Sequence, residues 1–267
     1  MTRKGCEGSI ISMKIIAIAN QKGGVGKTTT AANIGALLAL QGVKVLLVDL
    51  DPQSSLTQSL AADQQGRSMA EVIGGATRGK LAIKDIARRV SAGLDIAPSD
   101  IELSSCELGL VQRLGREGVL KSALANVKGY DIIIIDCPPS LGLMTINALT
   151  AAHGVIIPTL PAAGDLRGVK LFLDTLDRVK DDGLNSNLKM LGVLLVQYDP
   201  RLIAHTQALD SLKKAGLPVL GMIPRSVKVQ ESTAARQPLT VYDPSGKPAQ
   251  AYTQTIRKVK QWLKSPQ

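Results

Sequence analysis

Short apolar runs alternate with longer mixed segments along most of this chain, and the runs have the length of β-strands. They lie at residues 15–19, 43–48, 94–97, 132–135, 155–159, 189–196 and 219–223. Several are apolar at consecutive positions, so we expect strands that are buried on both faces. Right-handed crossovers between them predict an α/β fold, a doubly wound and mostly parallel sheet with helices on both faces.

The segments between these runs predict helices. Longer helices are expected at 28–41, 110–127, 165–180 and 204–215, and short helical pieces at 68–73 and 83–90. Near the C-terminus, apolar residues recur at helical spacing: Tyr252, Ile256, Val259 and Leu263. This spacing predicts a final helix that packs on the core. The same stretch is basic and contains Trp262, so a helix lying in a membrane interface is the alternative.

A glycine-rich run, Asn-Gln-Lys-Gly-Gly-Val-Gly-Lys-Thr-Thr-Thr at 20–30, lies where the first predicted strand meets the first predicted helix. Its glycines, at 23, 24 and 26, allow unusual backbone angles and let a polyphosphate approach the backbone N–H groups. Lys27 is placed to reach the β- and γ-phosphates, and the Thr28 hydroxyl to hold Mg²⁺. The run predicts a phosphate-binding loop; a glycine-rich turn without nucleotide is the alternative.

Three acidic residues follow predicted strands. Asp49 and Asp51 come after the run 43–48, and Asp136 follows four consecutive isoleucines. Ligands of open α/β sheets bind at this edge, where Asp136 can hold magnesium through water beside Thr28. Asp49 and Asp51 are also compatible with ordinary turn chemistry at a strand end, but beside a phosphate loop we favour a role in hydrolysis.

The charge of the chain indicates which classes of binding partner to expect. The net charge is +10, and residues 166–267 carry 16 Lys and Arg against 8 Asp and Glu. This excess predicts nucleic acid or anionic lipid as a partner, with a solvated basic surface as the alternative. An aromatic content of 2% argues against a single-strand binder that stacks bases.

The three cysteines form no Cys-x-x-Cys pair, so neither a zinc site nor a disulfide framework is expected. With no export signal in residues 1–12 and no apolar run of transmembrane length, we expect a reducing cytoplasm. Residues 1–12 are predicted to be a disordered extension and residues 13–267 a single domain.

The phosphate loop is a variant of the ordinary motif. Gln21 stands where a glycine is usual, and Lys22 precedes the first glycine. Lys-Gly-Gly-Val-Gly-Lys-Thr resembles the deviant Walker A loop of the ParA/MinD family, and Asp-Leu-Asp-Pro-Gln at 49–53 resembles the family's second signature. The resemblance runs from residue 13 to about 263 and is greatest to the ParA/Soj partition ATPases.

The resemblance implies a role for individual residues. Lys22 would reach across a dimer to the partner's nucleotide, Asp51 would orient the attacking water, and Asp49 would support the magnesium shell beside Thr28 and Asp136. The nucleotide would be held by the loop residues Lys22, Gly23, Gly24, Val25, Gly26, Lys27, Thr28 and Thr29. The expected catalytic residues are Lys22, Lys27 and Asp51, and the cofactors are ATP and Mg²⁺.

A third family segment lies at 223–228, where Ile-Pro-Arg-Ser-Val-Lys resembles Ile-Pro-Arg-Asn-Val-Arg. Pro224 and Ser226 would flank the adenine, although Ser226 replaces the usual Asn. Arg201, Arg225 and Lys228 would contact DNA.

The resemblance implies an ATP-dependent dimerising switch that binds double-stranded DNA without sequence preference, associates with the nucleoid, and is stimulated by a ParB-like adaptor. A MinD-like membrane-cycling ATPase is the alternative. A metabolic P-loop ligase is a third, disfavoured because it gives Lys22 no role.

Overall fold

The structure is a computed structural model that describes residues 13–60, 66–74 and 81–265. Its centre is an eight-stranded sheet in the order β3-β4-β2-β5-β1-β6-β7-β8. The strands are β1 Lys14–Ile18, β2 Val45–Asp49, β3 Arg88–Ser91, β4 Leu94–Ala97, β5 Ile132–Asp136, β6 Gly154–Thr159, β7 Lys189–Tyr198 and β8 Val219–Pro224. Every neighbouring pair is parallel except β3 with β4, at one edge. The predicted fold class is confirmed.

Helices connect the strands. Those in the described part of the chain are α1 Lys27–Leu40, α2 Ser55–Ser59, α3 Met69–Gly74, α4 Glu102–Leu110, α5 Val119–Leu124, α6 Leu143–Ala151, α7 Ala163–Asp181, α8 Ile203–Lys214, α9 Lys228–Ala234, α10 Leu239–Tyr242 and α11 Lys247–Leu263. No helix in the described ranges is both long and apolar enough to span a bilayer.

Two hydrophobic clusters cover the two faces of the sheet. In β5, Ile133 and Ile135 belong to one cluster, while Ile132 and Ile134 belong to the other, and all four are fully buried. This alternation is what a run of isoleucines produces in a central strand with helices on both sides. Cys137, directly after β5, is a buried free thiol.

Two helix predictions in the middle of the chain are wrong. The helical piece expected at 83–90 is a single 3₁₀ turn, Ile83–Asp85, followed by the edge strand β3. Gly93, with φ of 77°, reverses the chain so that β3 pairs antiparallel with β4. The helix expected at 110–127 is divided, because Gly115 adopts φ of 66° and a 3₁₀ turn, Arg116–Gly118, precedes α5.

The C-terminal helix packs as predicted. Tyr252, Ile256, Val259 and Leu263 of α11 are all buried in the cluster that also holds the apolar face of α1. The Tyr252 hydroxyl forms a hydrogen bond of 3.2 Å with Thr30 Oγ1. At the end of the helix, Lys14 Nζ donates to the carbonyl oxygens of Trp262 and Ser265 and lies 4.6 Å from the Trp262 ring centroid. These contacts fasten α11 to the start of β1.

Some of the sequence predictions concern residues that the structure does not describe or features that it does not test. The extension at 1–12 lies outside the described residues, and the single domain over 13–267 stays a prediction. The sequence also favours a solvated face, over a partner surface, for Arg67, Arg78, Arg88 and Arg89. Arg78 lies outside the described residues, Arg88 donates to the Arg67 carbonyl, and Arg89 forms an ion pair with Asp95.

Candidate nucleotide site

The phosphate loop joins β1 to α1 at the carboxyl edge of the sheet. Gly24 and Gly26 adopt φ of 73° and 77°, the left-handed region that favours glycine. Gly26 caps α1 without a side-chain hydrogen bond, so the first N–H groups of the helix remain available to an anion. The loop borders a cavity of about 490 Å³.

The predicted loop residues take different positions around this cavity. It is lined by Gly23, Gly24, Gly26, Lys27, Thr28 and Thr29. Val25 is fully buried and is not among the lining residues, so any contact with a ligand would come from its backbone. Lys27 is 6% exposed, and its Nζ donates to the Lys22 carbonyl at 2.9 Å. Burial lowers the pKa of Lys27, and the negative charge of Asp136 opposes that effect.

Asp136 and Asp49 lie side by side, because the residues pair directly in the register of β5 and β2. Thr28 Oγ1 donates to Asp136 Oδ2 at 2.7 Å, whereas Asp136 Oδ1 is buried and has no hydrogen-bond partner among the described residues. Burial, followed by repulsion from Asp49, raises the pKa of Asp136 well above its ordinary value. The site therefore holds a buried carboxylate whose charge Thr28 and Lys27 offset only in part.

Magnesium fits this arrangement. A hydroxyl and an unpaired buried carboxylate oxygen are hard ligands of the kind that Mg²⁺ prefers, and Mg²⁺ in phosphate sites takes few protein ligands. The described residues contain no cluster of three or more His, Cys, Asp or Glu side chains able to hold a metal by themselves. Thr28 and Asp136 are thus the residues that would hold the ion together with phosphate oxygens.

Asp49 is occupied in another way. Its Oδ1 accepts from the Asp51 backbone N–H at 3.1 Å, and its Oδ2 accepts from both the backbone N–H and the hydroxyl of Thr57, at 2.9 and 2.7 Å. Burial raises the pKa of Asp49 to about 6, although the Thr57 hydrogen bonds oppose the shift. These contacts give Asp49 a visible structural role, which is to hold Asp51 and α2; its part in the magnesium shell stays a prediction.

Asp51 lies at the cavity wall and is 9% exposed. Its Oδ1 accepts from the Gln53 backbone N–H at 2.9 Å, which fixes the carboxylate at the start of the loop before α2. Asp51 is thus a fixed carboxylate at the cavity wall, and its role in orienting a water molecule stays a prediction.

Lys22 does not face the cavity formed by its own loop. Its side chain is half exposed, and Nζ lies 2.8 Å from Oδ1 of Asp165, a buried carboxylate in the first turn of α7. Nothing in the sequence pointed to Asp165, because a lone acid in the first turn of a helix is common on solvent-exposed helices.

The base side of the cavity comes from the end of β8 and the helices that follow. Pro224, Arg225 and Ser226 line it, and contact of Pro224 and Ser226 with the adenine stays a prediction. The Ser226 hydroxyl oxygen accepts from the Lys228 backbone N–H at 3.2 Å. Sequence reasoning missed the part of the wall supplied by α9 and the following loop: Val229, Gln230, Thr233, Gln237 and Pro238.

The predicted DNA-contacting residues are exposed, and two of them carry acidic partners. Arg201 donates to both carboxylate oxygens of Asp199, at 3.0 and 2.7 Å. Lys228 donates to Glu231 at 2.7 Å. These pairs lower the pKa of Asp199 to about 2 and raise the pKa of Lys228.

A phosphate loop on a parallel α/β sheet, with a buried acid on the neighbouring strand, defines the class of protein: it is a P-loop nucleotide-binding protein. A family profile described as an AAA domain matches residues 13–190.

The relatives specify the family. The sporulation initiation inhibitor protein Soj of Bacillus subtilis is 41% identical over 250 residues, which cover 92% of this chain and 98% of the relative. The chromosome partitioning protein ParA of Caulobacter vibrioides is 37% identical over 255 residues, covering 92% and 94%. The chain belongs to the ParA/Soj family of partition ATPases.

Solved structures agree in fold. A structure described as cobyrinic acid a,c-diamide synthase from Mycobacterium smegmatis, with bound ADP and magnesium, matches with a TM-score of 0.81 and 40% identity, covering 95% of this chain and 96% of that one. The septum site-determining protein MinD from Pyrococcus horikoshii, complexed with Mg-ADP, matches with a TM-score of 0.77 and 26% identity, covering 95% and 98%.

Proposed function

We propose that this protein is an ATP-dependent switch, in which Mg–ATP closes two subunits into a dimer that binds DNA, and hydrolysis releases it. ATP and Mg²⁺ as ligands are supported by the loop with its free helix N-terminus, by Lys27, and by the unpaired buried oxygen of Asp136. Neighbours of the same fold were solved with ADP and magnesium.

The position of Lys22 carries the proposal of a dimer. Lys27 lies inside the cavity of its own subunit, while Lys22, five residues earlier, points out of it and is half exposed. A lysine that leaves its own site can neutralise phosphate charge only on another molecule. A second copy of the chain, docked with its phosphate loop opposite, is the partner that this orientation suits.

Slow hydrolysis is proposed to depend on Asp51. Phosphoryl transfer to water requires an oriented nucleophile and stabilised charge on the phosphate oxygens. Asp51 would hold the water, Lys27 and the partner's Lys22 would stabilise the charge, and Thr28 and Asp136 would hold the ion.

DNA binding rests on the positive excess of residues 166–267 and on the exposure of three basic residues, Arg201, Arg225 and Lys228. Phosphate contacts give affinity without sequence preference. We propose a cytoplasmic, nucleoid-associated protein whose hydrolysis is stimulated by a ParB-like adaptor.

The membrane-cycling alternative requires the C-terminal helix to expose an apolar face. In the structure that face is buried against the sheet and α1, and Lys14 ties the end of the helix to β1. Releasing it would expose four core residues, which makes this alternative the weaker one. The metabolic ligase alternative is suggested by the description of the Mycobacterium smegmatis neighbour as a diamide synthase. An assay for ATP-dependent amidation of a carboxylic acid tests this alternative.

The deciding experiment measures mass in solution with ATP, ADP or no nucleotide, for the wild type, Lys22→Ala and Lys27→Ala. We expect an ATP-dependent dimer for the wild type only, with ATP binding lost in Lys27→Ala and retained in Lys22→Ala. A Lys22→Ala protein that dimerises normally would refute the role of Lys22. Co-sedimentation with DNA and with anionic liposomes, run in parallel, then separates the switch from the membrane alternative.

A further inference from the structure

Gln197 occupies an unusual position at the end of β7. Val196 pairs with Ile223 of β8, and Tyr198 pairs with the next residue, Pro224, so β7 contains one extra residue at Gln197. The two neighbours confirm the bulge: Val196 belongs to the hydrophobic cluster on one face of the sheet and Tyr198 to the cluster on the other. In a regular strand, residues two apart would share a face.

The backbone of Gln197 is left-handed, with φ of 56°. Among the described residues, only three that are not glycine have positive φ. Glycine is the residue that fits such a position in a bulge without strain. The chain has glutamine there in spite of the strain, which suggests that the glutamine side chain has a function that glycine could not provide.

That side chain stands at the nucleotide cavity. Gln197 lines the cavity together with Pro224 and Ser226, and it is exposed between two buried neighbours. The end of β7 is close to the phosphate loop, because the Val196 methyl carbons lie 3.6 Å from where a Cβ on Gly26 would be. Within the described residues, the Gln197 amide forms no hydrogen bond that competes with a ligand.

Two other polar side chains of this wall, Asn33 and Ser226, are already engaged, whereas Arg225, Gln230 and Gln237 line the cavity without a side-chain hydrogen bond among the described residues. The Asn33 amide donates to the Thr29 carbonyl and accepts from the Thr240 N–H, and the Ser226 hydroxyl oxygen accepts from Lys228. Gln197 offers a free donor and acceptor pair on the wall that Pro224 and Ser226 share.

We propose that Gln197 is a base-recognition residue, whose amide pairs with the Watson–Crick edge of adenine. Nε2–H donates to the ring nitrogen N1, and Oε1 accepts from the 6-amino group. This inference rests on the proposed function, because it takes ATP as the ligand of the cavity.

Gln197→Glu gives the sharpest test, because a carboxylate can only accept hydrogen bonds. Guanine presents two donors on the same edge, N1–H and the 2-amino group, whereas adenine N1 would face a carboxylate oxygen. Affinities for ATP and GTP are measured by isothermal calorimetry for wild type and variant. We expect the ratio of the two affinities to move toward GTP by about tenfold or more, as a bidentate contact allows.

Gln230→Glu is the matched control, since Gln230 lines the same cavity from α9 and receives the same change in charge. We expect it to weaken both nucleotides alike and leave their ratio within about twofold. Gln197→Gly is the second variant: it should unfold at the same or a higher temperature, because glycine relieves the backbone, and bind ATP about tenfold more weakly.

An unchanged ratio in Gln197→Glu, or an equal shift in Gln230→Glu, overturns the role of Gln197 while leaving the proposed function intact. A wild-type protein that binds GTP and not ATP, or neither, refutes the proposed function itself. The two failures are thus separated by the wild-type measurement alone.

Discussion

Asp136→Asn should make the nucleotide-free protein more stable and at the same time abolish its stabilisation by Mg–ATP. The substitution keeps the shape of the side chain and an acceptor for the Thr28 hydroxyl, which lies 2.7 Å from Asp136 Oδ2. It removes the charge that burial and the neighbouring Asp49 disfavour.

The magnitude follows from the surroundings of the carboxylate. Asp136 is fully buried, and its Oδ1 has no hydrogen-bond partner in the described part of the chain. Asparagine leaves an amide group unpaired at the same place, so the gain comes from removing a charge that the buried site disfavours; a tenfold change in a protonation equilibrium corresponds to about 1.4 kcal/mol. We expect the free energy of unfolding of the apo variant to rise by about 1–3 kcal/mol, which for a protein of this size is a rise in melting temperature of roughly 2–8 °C.

The pH dependence of stability gives an independent check on the sign of the predicted change in the free energy of unfolding. Because the pKa of Asp136 is raised in the folded protein, the folded wild type keeps a proton that the unfolded chain loses above the ordinary pKa of an aspartate, 3.8. The wild type therefore loses stability relative to the variant as pH rises from about 4 toward neutrality. The advantage of asparagine should be small near pH 4 and largest near neutral pH.

The assay is urea unfolding in EDTA across this pH range, followed by thermal unfolding with saturating Mg–ATP. Ligand at about one thousand times its Kd stabilises the wild type by about 4.1 kcal/mol, which exceeds the advantage of the variant, so the order of stabilities should reverse. Asp174→Asn, at an exposed position of α7, controls for the change in net charge and should shift stability by less than about 0.5 kcal/mol. A variant that is no more stable than the wild type in EDTA, yet still binds Mg–ATP, would refute the assignment.

Three further predictions test other parts of the molecule. Asp51→Ala should bind ATP and dimerise but hydrolyse at least about tenfold more slowly, as expected for a lost general-base contact; an unchanged turnover would move attention to Asp49 or Asp136. Ile256→Ala, at a position that is 0% exposed, should lower the free energy of unfolding by about 2–5 kcal/mol, whereas the exposed Gln254→Ala should cost less than about 0.5 kcal/mol; equal effects would show that α11 is not part of the core. Asp199→Asn should strengthen DNA binding by the ATP-bound dimer, and Arg201→Ala should weaken it. Arg201→Ala should also lower the slope of log affinity against log salt concentration by about 1.8, because a dimer would lose two phosphate contacts. A slope unchanged in both variants would remove Arg201 from the interface.

The fold could be predicted because strand and helix periodicities are local properties. Four consecutive isoleucines can only be buried on both sides, and they form the central strand β5. The failures at 83–90 and 110–127 lie where glycines decide the structure: Gly93 and Gly115 adopt positive φ, and whether a glycine turns the chain or merely tolerates a helix depends on tertiary contacts.

The candidate site was predictable where a motif fixes geometry and unpredictable where two distant elements meet. Thr28 and Asp136 are expected together because both follow strands at the ligand-binding edge of an open sheet, and the structure joins them. Asp165 and Gln197 could not be found in this way. The first acts through a contact with Lys22 across 143 positions of sequence, and the second through a one-residue bulge in β7 that apolar periodicity does not reveal.

Net charge is a poor measure of the DNA surface, because the structure pairs the candidate residues with acids. Arg201 is held by Asp199 and Lys228 by Glu231, so each pair presents little net charge at a distance. Exposed ion pairs contribute little because water and salt screen them, so a phosphate can compete with the acidic partner. Approach of DNA would therefore exchange one partner for another, and the affinity gained per residue is the difference between two similar contacts. Arg225 has no ion-pair partner among the described residues, so it loses none when DNA binds. Removing Arg225 should therefore lower the DNA affinity more than removing Lys228.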